Sequence, residues 1–165
     1  MPDDWFTLNS QVAGHYAAKA ATIEGYRPAR AIEIGTRCGY SLAAFSVASP
    51  RTRWLCIDGG MDADSQQCLQ HWHSVVGQCR IEAALIVCNS HAIQRLPPAD
   101  FAHVDGDHSM LGCYADLCLV AHVPVILADD YDNAEVAQAV DRFCGEHDRE
   151  FAVYDDGLRK GAVIT

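Results

Sequence analysis

The chain has 165 residues, of which 50% are hydrophobic and 21% charged, a composition typical of folded globular proteins. Its formal net charge of −10 disfavours nucleic-acid and lipid partners, because phosphate backbones and anionic headgroups would be repelled. The N-terminus has no apolar signal segment, and no run of about 18 apolar residues occurs. The eight cysteines lie mostly inside apolar runs, which favours reduced thiols. We expect a cytoplasmic protein with no nucleic-acid and no membrane partner.

Helix-like and strand-like patterns alternate along the chain. Helices are predicted over 11–23, 41–48, 64–76, 114–122 and 134–146, and strands over 31–34, 53–57, 83–88, 101–104, 123–128, 150–154 and 161–164. The alternation predicts a parallel sheet, whereas the short loop between the last two strands requires an antiparallel pair. We predict an α/β fold with a doubly wound, Rossmann-like, mostly parallel sheet and an antiparallel C-terminal strand, in a single domain of residues 1–165.

A glycine-containing turn joins the first predicted strand to the next helix. It has the sequence Glu33-Ile34-Gly35-Thr36-Arg37-Cys38-Gly39, in which the glycines let the backbone approach a ligand closely. A dinucleotide-binding turn of the form Gly-x-Gly-x-x-Gly would have its middle glycine where Arg37 stands. The spacing therefore weighs against NAD.

Acidic residues follow several of the predicted strands. Asp58 ends the second strand, Asp105 follows the fourth, and Asp129 and Asp130 follow the fifth. Ligands of open α/β sheets bind outside the carboxyl ends of the strands, so these side chains should converge near Gly35. Carboxylates gathered there would repel one another unless a cation neutralised them.

The turn and the strand-end aspartate resemble the class I S-adenosylmethionine-dependent methyltransferases. In that family an acidic residue and a Gly-x-x-x-Gly turn surround the methionine part of the cofactor, and an acidic residue after the second strand binds the ribose. Asn89-Ser90 stands where the family often places a polar residue beside the adenine. The resemblance implies S-adenosylmethionine binding by Glu33, Gly35, Thr36, Gly39, Tyr40, Asp58, Gly59, Asn89, Ser90 and Asp105.

The later carboxylates resemble those of the divalent-metal-dependent small-molecule O-methyltransferases, namely the catechol-type enzymes and the cephalosporin-biosynthesis and macrolide-sugar group. The resemblance implies a metal site at Asp105, Asp129 and Asp130, although catechol-type enzymes usually carry Asn in place of Asp130. Oxygen ligands favour Mg²⁺, with Mn²⁺ or Ca²⁺ as alternatives. His108 stands where those enzymes have a lysine general base, so it is the predicted catalytic residue.

The expected activity is therefore methyl transfer to a metal-held hydroxyl of a small molecule such as a sugar, a polyketide or a catechol-like ring. Larger relatives cover the acceptor with added N-terminal helices. Here few residues precede the first predicted helix, so the acceptor pocket is open, shared between copies in a homo-oligomer, or absent.

Besides an NAD-linked oxidoreductase, which only the general fold and Asp58 support, three alternatives remain open. The chain could be a non-catalytic module that binds S-adenosylmethionine or a nucleoside beside a degenerate acceptor site. His108 could be a surface histidine without a role, and Asp129 a helix cap. A zinc site is the third alternative, although no paired Cys-x-x-Cys supports it; its ligands would be Cys68, His71, His73 and Cys79.

Overall fold

The computed structural model describes residues 10–60 and 65–165. Within these ranges seven strands form one sheet in the order β3-β2-β1-β4-β5-β7-β6. The strands are β1 Arg30–Ile34, β2 Arg53–Asp58, β3 Ala83–Val87, β4 Phe101–Val104, β5 Ile126–Ala128, β6 Phe151–Asp155 and β7 Lys160–Ile164. The helices are α1 Ser10–Glu24, α2 Tyr40–Ala48, α3 Ser65–Cys79, α4 Met110–Leu119 and α5 Ala134–His147. None of these helices is long and apolar enough to cross a bilayer.

The strand directions confirm the predicted fold class. Strands β1 to β5 pair in parallel, and β7 pairs antiparallel with both β5 and β6. The chain moves outward from β1 to β3 and then returns to place β4 on the other side of β1. Ligands of open α/β sheets bind at such a reversal point, which here lies between β1 and β4.

Alternation of side chains along the strands supplies a core on each face of the sheet. On one face, Ile32 and Ile34 of β1 belong to a buried cluster with Phe143 of α5. On the other face, Phe45 of α2 stacks on Trp54 of β2 with ring centroids 5.3 Å apart. Helix α1 packs against α2 on this second face, which brings α1 close to the carboxyl ends of the strands.

Some predicted boundaries were wrong. Helix α4 begins at Met110 instead of 114, because the Ser109 side chain caps it by accepting a hydrogen bond from Gly112 N–H, and it ends at Leu119 instead of 122. Strand β5 begins at Ile126 instead of 123. The predicted start of α3 at residue 64 lies outside the described residues.

Candidate functional site

The carboxyl ends of the parallel strands surround an open cavity of about 1020 Å³. Most of the site residues predicted from the sequence line it: Gly35, Thr36, Tyr40, Asp58, Gly59, Asn89, Ser90, Asp105, His108, Asp129 and Asp130. Two of them, Glu33 and Gly39, lie outside its lining. The topology therefore brings together residues that are up to 95 positions apart in the sequence.

Gly35 allows two loops to touch at the floor of the cavity. Its φ is +84°, and a Cβ built on it would lie 1.9 Å from the carbonyl oxygen of Asp105. A side chain at this position would force β1 and β4 apart. Gly39, with φ +81°, precedes α2, and its Cβ would lie 3.2 Å from Trp72 Cδ1. Gly39 therefore serves the packing of α2 against α3.

Glu33 lies behind the cavity in the core between the sheet and α2. Its carboxylate is fully buried, 3.1 Å from Nδ1 of His103, and it accepts a weak hydrogen bond from the Cys56 thiol. Its strand position directs it to the face that carries Phe45, whose ring meets His103 edge-on. Any effect of Glu33 on a ligand would pass through these neighbours, since the residue is not part of the lining.

Asp58 is held in a fixed position by backbone donors from both adjoining loops. Its Oδ2 accepts a hydrogen bond of 2.7 Å from Arg37 N–H, and its Oδ1 accepts one of 3.0 Å from Gly60 N–H. Each carboxylate oxygen retains a further lone pair. The group lies on the cavity wall and is suited to accept hydrogen bonds from a vicinal diol.

The residues after β3 connect the cavity to a buried carboxylate on α4. The Asn89 side chain accepts a hydrogen bond from His91 N–H and caps the short 3₁₀ helix Ser90–Ala92. Ser90 Oγ donates to Asp116 Oδ1 at 2.6 Å. Burial raises the pKa of Asp116, although the Ser90 hydroxyl partly opposes that shift. Asp116 therefore fixes the wall at Ser90 from behind.

Asp105, Asp129 and Asp130 converge as predicted at the ends of β4 and β5, and we call them the acidic cluster. Asp129 forms a buried ion pair with Lys19 Nζ, and Asp105 Oδ2 lies 3.4 Å from the same nitrogen. Burial alone would raise the pKa of Asp105, but His108 and Lys19 together lower it. Asp129 does not cap a helix, because the cap of α5 is Asn133.

His108 contacts two members of the acidic cluster. Its Nε2 lies 3.3 Å from Asp105 Oδ1 and 3.5 Å from Asp130 Oδ2. The hydrogen bond to Asp105 raises the pKa of His108. The imidazole is 45% exposed and lies at the boundary between the cavity and solvent. Its placement is compatible with the predicted role as a proton acceptor.

The basic residues of the site were not predicted from the sequence. His15 and Lys19 lie one turn apart on α1, and Arg159 follows β6 and forms an ion pair with Asp130. Burial alone would lower the pKa of Lys19, but Asp105 and Asp129 raise it. One sequence feature could have indicated this residue. Lys19 is the only charged residue in the segment Ala17-Ala18-Lys19-Ala20-Ala21, whose small side chains suit a buried helix face.

The acidic cluster does not require the predicted divalent cation, because basic side chains already neutralise its carboxylates. In the described ranges, two groups bring metal-type ligand atoms within 4.8 Å of one another: His103 with Asp105 and Asp129, and Asp105 with His108 and Asp130. The four alternative zinc residues on α3 form no such group there. Lys19 and Arg159 already contact the three carboxylates. A metal would have to share these oxygens with fixed cationic side chains.

Comparison with known proteins adds evidence on the fold. The sequence matches no protein-family model and no curated protein. Among solved structures it resembles the O-methyltransferase TomG of Streptomyces achromogenes, solved with S-adenosylmethionine, with a TM-score of 0.66 and 16% identity over 92% of this chain and 79% of that one. An O-methyltransferase of Bacillus cereus, solved with S-adenosylhomocysteine, gives 0.67 and 16% over 91% and 79%.

The fold is shared by enzymes that methylate different atoms. A precorrin-6y C5,15-methyltransferase of Geobacter metallireducens gives a TM-score of 0.69 and 14% identity over 90% of this chain and 84% of that one. The strand order, the parallel β1 to β5 and the antiparallel β7 agree with this similarity. The chain therefore has the Rossmann-like fold of the class I methyltransferases.

Proposed function

We propose that this chain is an S-adenosylmethionine-dependent methyltransferase that acts on a hydroxyl oxygen of a small molecule. The observation that carries the proposal is that Asp58, the Gly35 turn and the acidic cluster line one cavity at the reversal point of the sheet. Two of the similar structures are O-methyltransferases solved with S-adenosylmethionine or S-adenosylhomocysteine. The negative net charge of the chain favours a small acceptor over nucleic acid.

Different residues of the cavity would bind the cofactor and accept the proton. When bound, S-adenosylmethionine supplies a methyl group on a positively charged sulfur. Asp58 would accept hydrogen bonds from its ribose hydroxyls, and the walls at Asn89 and Ser90 would face its adenine. As the acceptor oxygen forms its bond to the methyl carbon, the carbon–sulfur bond breaks and the hydroxyl proton leaves. His108 would take that proton, because its imidazole opens into the cavity.

The dependence on Mg²⁺ that the sequence predicts is not part of this proposal. In metal-dependent chemistry a divalent cation would hold the acceptor oxygen against Asp105, Asp129 and Asp130. Here the carboxylates already contact Lys19 and Arg159. Metal binding therefore stays a prediction from the sequence, to be tested separately from cofactor binding.

Calorimetric titration with S-adenosylhomocysteine tests the proposal. We expect the parent chain to bind and Asp58→Ala to bind roughly ten- to hundredfold more weakly, because a charge-assisted acceptor contributes about 1.5–3 kcal/mol. Asp100→Ala is a matched control. Asp100 Oδ2 also accepts two backbone hydrogen bonds, from Ala29 and Arg30 at 3.0 and 2.9 Å, but the residue is not part of the cavity lining.

The outcomes separate the assignments. If the parent chain did not bind S-adenosylhomocysteine, the proposed function would be wrong. Equal affinity of the parent and Asp58→Ala would refute only the ribose assignment. Transfer of a radiolabelled methyl group is then measured with sugars, polyketides and catechols as acceptors. Cofactor binding without transfer to any of these classes would favour the non-catalytic module instead.

A further inference from the structure

Lys19 places an ammonium group inside the acidic cluster. The residue is only 1% exposed, although lysine is almost never fully buried without a partner. Its Nζ forms an ion pair with Asp129, lies 3.4 Å from Asp105 Oδ2, and donates to Ser41 Oγ at 3.0 Å. An ammonium has three hydrogens to donate, so each has an acceptor here. The side chain is therefore fully engaged with the protein.

The position of this nitrogen is that of a shared counter-ion. It contacts one carboxylate from the end of β4 and one from the end of β5, the two strands whose ends were predicted to share a metal. The remaining Oδ1 of Asp129 accepts a hydrogen bond from the Tyr154 hydroxyl at 3.3 Å. Asp130 is neutralised separately by Arg159. A divalent ion bound to Asp105 and Asp129 would face the ammonium at close range and be repelled.

A buried histidine with one unpaired ring nitrogen lies next to the same carboxylates. His103 is fully buried, its Nδ1 faces Glu33, and its Nε2 has no hydrogen-bond partner. One ring nitrogen of His103 and one oxygen each of Asp105 and Asp129 lie within 4.8 Å of one another. One imidazole and two carboxylates form a donor set that suits Mn²⁺ and similar transition metals. Within the described part of the chain, Lys19 is the cation that holds these two carboxylates together.

We propose that Lys19 is the resident cation of the acidic cluster and replaces a divalent metal at Asp105 and Asp129. Two consequences follow from the geometry. The parent chain has no specific divalent-metal site at these carboxylates, and removal of the Lys19 side chain creates one that includes His103. A third consequence rests on the proposed function, namely that methyl transfer continues in the presence of a chelator.

The test uses MnCl₂ as the probe and the full chain. Thermal unfolding and calorimetric titration are measured for the parent, Lys19→Ala and Lys19→Arg, each in EDTA and in increasing Mn²⁺. We expect no specific Mn²⁺ binding and no shift of Tm for the parent or for Lys19→Arg, which keeps the charge. Lys19→Ala should gain a Tm increase that grows with Mn²⁺ concentration, because a bound ion stabilises the folded state by mass action. Adding Asp129→Asn to Lys19→Ala should abolish that gain.

Two results would overturn the proposal. One is stoichiometric Mn²⁺ binding by the parent that Asp105→Asn combined with Asp129→Asn removes. The other is a folded Lys19→Ala variant, judged by circular dichroism, that gains no Mn²⁺ binding. If Lys19→Ala is unfolded in EDTA, refolding on addition of Mn²⁺ supports the proposal. If the variant does not refold, the Mn²⁺ titration of the parent decides: absence of specific binding supports the proposal, and stoichiometric binding at Asp105 and Asp129 overturns it.

The same preparations keep the two proposals apart. Binding of S-adenosylhomocysteine by the parent is measured in EDTA and reports only on the cofactor site. If the parent does not bind S-adenosylhomocysteine but gives the expected Mn²⁺ results, the proposed function is refuted and the assignment of Lys19 stands. If the parent binds S-adenosylhomocysteine and also has a Mn²⁺ site at Asp105 and Asp129, the assignment of Lys19 is refuted and the proposed function stands.

Discussion

Two carboxylates near the loop that follows β4, the half-buried Asp105 and the buried Asp116, differ in their partners. Asp105 contacts Lys19 and His108, and these contacts outweigh burial and lower its pKa. Asp116 is fully buried beneath Ser90 and Gly106, and its ionic contact in the described residues is with His91 at 3.4 Å. Burial dominates there and raises its pKa. Burial raises the pKa of both carboxylates, and the charged partners therefore decide whether the net shift is downward, as at Asp105, or upward, as at Asp116.

The largest expected effect comes from removing the cation on the Asp105 side. Among the described residues, Lys19→Met leaves Asp129 buried without a charged partner at hydrogen-bond range, since His15 Nε2 lies 4.0 Å away; such a loss typically costs about 3–5 kcal/mol. Urea unfolding at neutral pH measures this loss. Lys160→Met is the control, because Lys160 is 48% exposed and its pair with Asp155 should contribute at most about 1 kcal/mol. Equal losses in the two variants would contradict the role assigned to Lys19.

On the Asp116 side, the informative change is the loss of a neutral donor. Ser90→Ala removes the hydroxyl that donates to Asp116 Oδ1 and should cost about 1–3 kcal/mol at neutral pH, because a buried acceptor loses its partner. Ser46→Ala removes a hydroxyl that, in the described residues, donates to the local carbonyl of Ala43 on α2, and it should change stability by about 0.5 kcal/mol or less. A Ser90→Ala variant as stable as Ser46→Ala would show that Asp116 does not depend on this donor.

The dependence of stability on pH should have opposite signs at the two carboxylates. The folded pKa of Asp116 is raised, so its contribution to stability falls as pH rises from about 4, where the unfolded chain has already released the proton. Asp116→Asn should therefore reduce the loss of stability above that pH. The folded pKa of Asp105 is lowered, so its contribution is present above about pH 4 and is lost as pH falls through the folded pKa.

Urea unfolding over a series of pH values checks both signs. Asp105→Asn should flatten the stability profile below about pH 4, whereas Asp116→Asn should flatten it above about pH 4. Asp148→Asn serves as the control, because Asp148 is an exposed C-cap of α5 in a left-handed conformation that asparagine also adopts. The same slope change in both test variants would refute the distinction between the two carboxylates.

The smallest expected effect concerns His108. Its pKa is raised chiefly by the hydrogen bond to Asp105, so Asp105→Asn should move the imidazole titration to lower pH. Proton NMR of the ring follows this directly. The signal of His73, exposed on α3, should not move. An unchanged His108 titration would mean that Asp105 does not hold the imidazole in solution.

The sequence predicted the convergence of the strand-end carboxylates because it follows from one rule of parallel sheets. The carboxyl ends of β1, β2, β4 and β5 meet at one edge, so Asp58, Asp105 and Asp129 had to approach Gly35 once the alternation of strands and helices was recognised. The helices were also predicted from periodicity, with errors at their ends. The start of α4 was missed because Ser109 acts as its cap.

The counter-ions could not be predicted in the same way. Lys19 reaches Asp129 only because α1 packs on α2, and Arg159 reaches Asp130 only because β7 pairs beside β5. The small residues around Lys19 indicate a buried helix face, but local patterns do not show which carboxylates the side chain meets. Glu33 was assigned to the cofactor by resemblance, but its strand position directs its carboxylate toward His103 on the helix-covered face.

Because Lys19 is part of α1, the cation of the acidic cluster is tethered to the fold. A tethered group acts at an effective concentration on the order of millimolar even through a flexible linker, and a helix packed on α2 restricts it further. Its occupancy is thus set by the folding of α1 and not by the ionic composition of the medium. Salt that screens exposed pairs has little access to a side chain that is 1% exposed. The charge balance of this site should therefore be the same in magnesium-poor and magnesium-rich solutions.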